Sequence, residues 1–250
     1  MSDPKVVLIT GGGRGIGAAT ARRAAARGYA VCVNYVADET AARTLVDEIE
    51  AGGGRAMARR ADVAVESEVE ELFAALEREL GPPRALVNNA GLTGRISRLD
   101  EVSGETLRRV MDINVLGLMY CARAAVRRMS RRHGGAGGAI VNVSSGAASL
   151  GSPGEYVWYA ASKGAVDSFT IGLAREVAGE GIRVNAVAPG MTATEIHAAS
   201  GDAGRLERIG KGVPLGRPAT ADEVAAPIVW LLSDEAAYIT GAVLRVAGGR

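Results

Sequence analysis

Short apolar, β-branched runs alternate along the chain with longer stretches of helical periodicity. The short runs cover residues 5–10, 30–34, 55–60, 85–88, 139–144, 182–188 and 242–246. Most are apolar throughout, without the in-and-out alternation of a half-solvated strand, which is the pattern of strands covered on both faces. Helices are predicted between them, over 15–27, 39–51, 67–80, 104–132, 156–178 and 221–231. Strand and helix alternate from end to end, so the expected fold is α/β, a doubly wound sheet of seven parallel strands with helices on both faces. No linker or repeat interrupts the alternation, and residues 1–250 are expected to form one domain. Two stretches read as loops: 131–138, basic and then Gly-rich, and 191–217, rich in Gly, Ala and Thr. The second follows the carboxyl end of a strand, where such sheets bind ligands, and is expected to form a substrate lid.

Composition narrows the classes. The chain carries 29 basic and 28 acidic residues, a net charge of +1, which offers nothing to nucleic acid or an anionic membrane. Cys32 and Cys121 both sit in apolar stretches and read as reduced packing residues. The first residues run directly into a strand, with neither a signal peptide nor a long apolar span, so a cytoplasmic location is expected.

The first strand leads into Thr10-Gly11-Gly12-Gly13-Arg14-Gly15-Ile16-Gly17 and then an Ala-rich helix. Glycines here let the main chain turn sharply and approach a pyrophosphate, and the helix start offers amides and a positive dipole end. A Rossmann-type strand–Gly-turn–helix unit in this position is expected to bind a dinucleotide, the alternative being a tight strand–helix turn with no ligand. No Lys-Ser/Thr pair follows the glycines, which disfavours a P-loop NTPase. The second strand ends Asn34-Tyr35-Val36 without the carboxylate that usually binds the ribose of NAD. Arg14 offers a guanidinium suited to a ribose 2′-phosphate. NADP(H) is therefore preferred. NAD(H) remains open if Asp38 or Glu39 reaches an unphosphorylated ribose.

Tyr159-Ala160-Ala161-Ser162-Lys163 places a phenol and an ammonium four residues apart, on one face of a helix. An unperturbed phenol, with a pKa near about 10, exchanges protons poorly at neutral pH, and a close ammonium favours its ionised form. Ser144 and Ser145 end the preceding strand, within reach of that helix. Asn114 lies in a long helix with no evident solvent face.

Thr10-Gly-x-x-x-Gly-x-Gly17, Asp62-Val63, Asn88-Asn89-Ala90-Gly91, Asn114, Ser145, Tyr159-x-x-x-Lys163 and Pro189-Gly190 occur together in this order. The set resembles the short-chain dehydrogenase/reductase family over essentially the whole chain. It is most similar to the single-domain branch holding 3-oxoacyl-carrier-protein reductases and bacterial glucose dehydrogenases. The resemblance implies an oxidoreductase that moves hydride between a nicotinamide and a carbonyl or secondary alcohol. Tyr159 would be its general acid/base, Lys163 would bind the nicotinamide ribose and tune Tyr159, Ser145 would orient the substrate oxygen, and Asn114 would hold a relay water. Gly11, Arg14, Gly15, Ile16 and Gly17 would hold the phosphates. Asn34 and Tyr35 would face the adenosine ribose, with Asp62 and Val63 flanking the adenine. Asn88, Ala90 and Gly91 would shape the cleft, and Pro189, Gly190, Thr192 and Thr194 would lie against the nicotinamide. Glu155, Tyr156, Trp158, Met191 and His197 are expected to border the substrate pocket. Two departures stand out. The segment between Ser145 and Tyr159 is one residue longer than the family spacing, and Ala247-Gly248-Gly249 replaces a more usual Asp-Gly-Gly. Were Ser144 the catalytic hydroxyl, it would lie on the opposite strand face.

Competing chemistries fare worse. No Gly-x-Ser-x-Gly elbow is present. The two histidines are His133, read as solvated, and His197, in the expected lid. Neither they nor the cysteines show ligand spacing, so no metal is expected. A non-catalytic NADP-binding regulatory protein would be expected to lose part of the Asn/Ser/Tyr/Lys set, which is intact here. An NAD-dependent sugar or alcohol dehydrogenase of the same fold is the nearer alternative. Residues 115–125 and 160–173 are apolar or small nearly all round. Such helices need cover beyond their own sheet, and the family implies a homotetramer, or a dimer, built on them.

Overall fold

The computed structural model describes residues 4–194, 210 and 212–250. Seven parallel strands form one sheet in the order β3-β2-β1-β4-β5-β6-β9: β1 (Val6–Ile9), β2 (Ala30–Tyr35), β3 (Arg55–Arg60), β4 (Pro83–Asn88), β5 (Gly138–Val143), β6 (Ile182–Pro189) and β9 (Val243–Val246). The expected topology is thereby observed. In register, Leu8 faces Cys32 on one side and Leu86 on the other. Successive strand residues supply opposite cores. Val7, Ile9, Val87 and Val141 pack under α1 (Gly15–Ala26), α2 (Glu39–Ala51) and α8 (Ala221–Leu232). Val6, Leu8, Leu86 and Ile140 pack under α3 (Glu66–Glu79), α5 (Leu118–Met129) and α7 (Val157–Val177). Strand order reverses between β1 and β4, which opens a crevice at their carboxyl ends.

Three expectations need correction. The helix read as continuous over 104–132 is α4 (Gly104–Met111), a π-helical stretch Asp112–Gly117, and α5. Gly117 lies so close to Val63 that a Cβ there would sit 2.9 Å from the Val63 carbonyl oxygen. Only glycine fits at that spacing, and π-helical turns of this kind often sit at functional sites. The segment before α7 is not plain loop. It holds α6 (Ala147–Leu150), then Gly151, Ser152 and Gly154, all with left-handed φ (+75°, +47° and +72°). Ser152 is the one non-glycine residue with positive φ among those described.

The span 191–217, read as a loop, begins with a strand, β7 (Thr192–Ala193), which pairs in parallel with β8 (Ala219–Thr220) just beyond its end. Most of the expected lid, including His197, lies outside the described residues. The far end of this span is anchored on the C-terminal residues. The Leu215 amide donates to the Gly248 carbonyl at 3.1 Å. A Cβ at Gly248 or Gly249 would fall 2.7 Å from Val213 or 2.9 Å from Pro214, and both glycines hold positive φ. The Ala247-Gly248-Gly249 motif is thus a seat for Val213, Pro214 and Leu215.

Phe73 is fully buried on α3, with the Arg128 guanidinium 5.1 Å above its ring. Phe73→Ala is expected to cost about 3–5 kcal/mol in urea unfolding. A loss below ~1 kcal/mol would show that α3 does not close this core.

Candidate active site

The turn after β1 is held by side chains that bond only main chain. The Asn34 amide group donates to the carbonyls of Ala61 (2.9 Å) and Arg59 (3.3 Å), and its Oδ1 accepts from the Gly11 amide at 3.3 Å. The Thr10 hydroxyl accepts from the amides of Asn89 (3.0 Å) and Ala90 (3.1 Å). The Asn89 amide group donates to the carbonyls of Thr10 (3.0 Å) and Gly11 (2.9 Å). The two lips of the crevice are therefore tied together. Gly11 and Gly15 take φ of +58° and +53°, and a Cβ on Gly17 would lie 2.5 Å from the Gly11 carbonyl oxygen. Thr194 closes over Gly15, its Cγ2 3.3 Å from where a Cβ would stand. Arg14, exposed at the start of α1, makes no side-chain cap. A main-chain cradle without Cβ atoms, opening at a helix start, fits a dinucleotide pyrophosphate.

Beyond the cradle, Asn34 is buried and occupied by the clamp, so it holds the turn rather than facing a ribose. Tyr35 is half-buried at the tip of β2. The two carboxylates that would serve NAD are committed elsewhere. Asp38 caps α2 by accepting from the Ala41 amide at 2.9 Å, and Glu39 pairs with Arg43 at 2.7 Å. Arg60 is held at this corner by donating to the Val36 carbonyl at 3.1 Å. Asp62 accepts from the Ala64 amide (3.0 Å) and pairs with Arg109 (2.7 Å). Burial pushes its carboxyl upward, but Arg109 and that amide outweigh burial and hold it below the ordinary value. Val63 is buried beneath it.

The chemistry-bearing set converges where β5 meets α7. Lys163, 3% exposed, donates to the Val143 carbonyl at 2.7 Å and lies 5.7 Å from the centre of the Tyr159 ring. Burial drives Lys163 down to about 8, opposed by the charge of Asp167. Ser145 is half-buried, its Oγ accepting from the Ala147 amide at 3.1 Å. Ser144 is buried on the opposite side, bonded to Asp167, as strand alternation requires. Asn114, carried inward by the π-helical stretch, accepts from the Leu92 amide (2.8 Å) and donates to the Leu92 carbonyl (2.9 Å) and the Ser162 hydroxyl (3.0 Å). Ser162 in turn donates to the Tyr159 carbonyl at 2.7 Å. A Cβ on Gly91 would stand 3.6 Å from both Asn114 Oδ1 and Lys163 Nζ.

Several expected contacts have a different place. Asn88 turns inward, donating to Asn142 at 2.9 Å, and Asn142 continues the buried chain to Thr170 on α7. Trp158 stands behind the site. It is 5% exposed, packed with Val110, Tyr156 and Tyr159, and its indole donates to the Thr93 carbonyl at 2.8 Å. The Tyr156 and Tyr159 rings meet edge to face at 5.4 Å. Glu155 ties the 151–156 turn to the segment after β4 through its carbonyl, which accepts from the Ser97 amide at 2.9 Å. Pro189 and Gly190 continue β6 toward the crevice, and a Cβ on Gly190 would lie 2.7 Å from the Ala247 Cα. The Thr192 hydroxyl braces this turn on the Gly190 carbonyl at 3.1 Å, and the Met191 carbonyl accepts from the Ala219 amide at 2.9 Å.

Sequence reasoning did not assign Thr10, Asn89, Arg109 or Asp167 to the site. The first two fall inside the quoted motifs and were within reach of a hydrogen-bond accounting of the turn. Arg109 meets Asp62 only through tertiary packing; Asp167 meets Ser144 the same way, although its place four residues after Lys163 was readable in the sequence.

A family model described as enoyl-(acyl carrier protein) reductase matches residues 11–250. The chain is 49% identical over 245 residues to the Escherichia coli oxidoreductase YgfF, covering 98% of this chain and 99% of that one. It is 40% identical over 246 residues to a 3-oxoacyl-[acyl-carrier-protein] reductase of Synechocystis sp., covering 98% and 96%. A solved short chain dehydrogenase from Burkholderia cenocepacia, in complex with NADP, superposes with a TM-score of 0.90 at 34% identity, over 99% of this chain and 98% of that one.

The cradle can be tested alone. Gly17→Ala places a Cβ against the Gly11 carbonyl and 2.7 Å from the Asn89 amide nitrogen. Dinucleotide affinity, measured by calorimetry, is expected to fall by ~10-fold or more, about 1.4 kcal/mol. Unchanged affinity would place the dinucleotide elsewhere.

Proposed function

The chain belongs to the short-chain dehydrogenase/reductase family and is an oxidoreductase, and on that premise we propose that it moves hydride between NADP(H) and the carbonyl or secondary alcohol of a small molecule. The observation that carries this reading is the buried Lys163 ammonium, held by the Val143 carbonyl beside the Tyr159 ring. When bound, the nicotinamide supplies or accepts the hydride. Tyr159 gives its hydroxyl proton to the substrate oxygen in reduction and takes it back in oxidation. Lys163 stabilises the ionised phenol left behind. Ser145, at the tip of β5, orients the same oxygen. Asn114 serves as a brace: with both ends of its amide engaged by protein, it fixes Leu92 and, through Ser162, the carbonyl of Tyr159.

NADP(H) is favoured over NAD(H) because Asp38 and Glu39 are committed to a helix cap and an ion pair, while Arg14 and Arg60 bring guanidinium groups to that corner. The bound NADP of the Burkholderia cenocepacia structure supports the same choice. Self-association through the π-helical stretch leading into α5 and through α7 is supported by Leu116 and Ile171, exposed at 42% and 38%. No helix among the described residues is long and apolar enough to cross a membrane. The two buried, unbridged cysteines suit a reducing compartment, which supports a cytoplasmic location.

A spectrophotometric panel following NADPH and NADH oxidation over varied carbonyls, with sugars and alcohols run in reverse, tests the activity. Tyr159→Phe is expected to lower turnover by at least ~100-fold with NADPH affinity retained. More than about a tenth of wild-type activity would remove Tyr159 from the acid–base role. Arg14→Ala is expected to weaken NADPH roughly 10-fold or more, the loss of about one charge-assisted hydrogen bond, and to spare NADH. Equal losses for both would defeat the 2′-phosphate assignment.

A further inference from the structure

Three consecutive residues pin the end of β5 to α7 and its approach. The Val143 carbonyl takes the Lys163 ammonium, the Ser144 hydroxyl bonds the Asp167 carboxylate and reaches the Lys163 carbonyl at 3.4 Å, and Ser145 bonds the start of α6. Tyr159, Lys163 and Asp167 are spaced four apart, so they line one face of α7. The mechanism above uses the first two and leaves Asp167 without a task. Yet Asp167 is a half-buried carboxylate whose hydroxyl partner, Ser144, is 2% exposed. Charges withdrawn from water persist in proteins when hydrogen bonds and counter-charge replace it, and this one accepts from Ser144 one helical turn from the Lys163 ammonium.

We propose that Asp167 is a positioning residue for Lys163 and Tyr159: through Ser144 it sets the tip of β5 against α7, and one helical turn from Lys163 it supplies that group's counter-charge. The inference rests on the reading of Tyr159 and Lys163 given above. The groups that face Lys163 from the other elements carry no charge: the Val143 carbonyl and Ser144 at the end of β5, Asn114 of the π-helical stretch, and Gly91 after β4. On α7 itself stand Tyr159 and Asp167. Asp167 is the charge that acts on Lys163 among the described residues, raising a pKa that burial lowers. In return, burial raises the Asp167 carboxyl, while Ser144 and Lys163 draw it back down. The sign follows directly. An ammonium is lost as pH rises through its pKa, so without the carboxylate Lys163 becomes neutral at lower pH.

The chain has only three lysines, Lys5, Lys163 and Lys211. The full-length protein labelled with ¹³Cε-lysine therefore gives a readable titration by NMR, with and without NADPH, assigned through Lys5→Arg and Lys211→Arg. In Asp167→Asn, which keeps an acceptor for Ser144 but no charge, the Lys163 midpoint is expected to fall by about one unit or more. The alkaline limb of kcat/KM is expected to move the same way, and Asp167→Glu to restore both. An unmoved Lys163 midpoint in Asp167→Asn overturns the electrostatic half of the proposal. Ser144→Ala, which keeps the charge and removes the bond, is expected to lower kcat about tenfold, the loss of roughly one hydrogen bond, with the Lys163 midpoint retained. Wild-type kcat in that variant overturns the positioning half. The midpoint is read without turnover, so an inactive wild-type protein would sink the oxidoreductase mechanism while leaving Asp167 tested on its own terms.

Discussion

A lysine ammonium buried where β5 crosses α7 is the constraint around which the rest of the site is arranged. Charge in a protein interior is tolerated only when hydrogen bonds and counter-charge replace water. Here the replacements are a carbonyl left free because its strand has ended and a carboxylate one helical turn away. Burial still holds Lys163 near 8 rather than at the ordinary lysine value. Its charge state is therefore responsive near physiological pH, which a solvated lysine cannot offer. The cost is accepted at a position where the phenol of Tyr159 shares the same helical face.

The opposite wall of the crevice obeys a different requirement. Asn34, Thr10 and Asn89 spend their side chains on main-chain groups, which leaves the glycine turn rigid without any side chain protruding into it. A pyrophosphate is bound by amides and a helix dipole, so the surface that meets it has to be main chain. The clamp explains why Asn34 stands at the tip of β2 although it is buried and faces no open space. The sheet supplies the alignment. Parallel register brings the ends of β1, β4 and β5 to one edge, and order reversal separates the first two enough to leave a crevice.

Asn114 shows how secondary structure and site are coupled. An unbroken α-helix over 104–132 suits the apolar pattern, and the sequence carries no proline to interrupt it. The widened stretch ends at Gly117, which meets the main chain of Val63, a contact made across the molecule. Asn114 then reaches Leu92 and Ser162, linking the segment after β4 to the helix that bears Tyr159.

Periodicity alone determined the strand–helix alternation and the parallel sheet, because strands buried on both faces are apolar throughout. The spacings of Gly11, Gly15 and Gly17, and of Tyr159 and Lys163, are local along the chain and were readable for the same reason: a turn and a helical face each depend on near neighbours. Tertiary structure decided the remainder. Asp62 meets Arg109, Ser144 meets Asp167, Trp158 retreats behind the site, and Gly248 and Gly249 seat Val213 and Pro214. Those partners lie far apart in sequence or on separate elements, and only the packing of helices on a closed sheet brings them within hydrogen-bond or van der Waals reach.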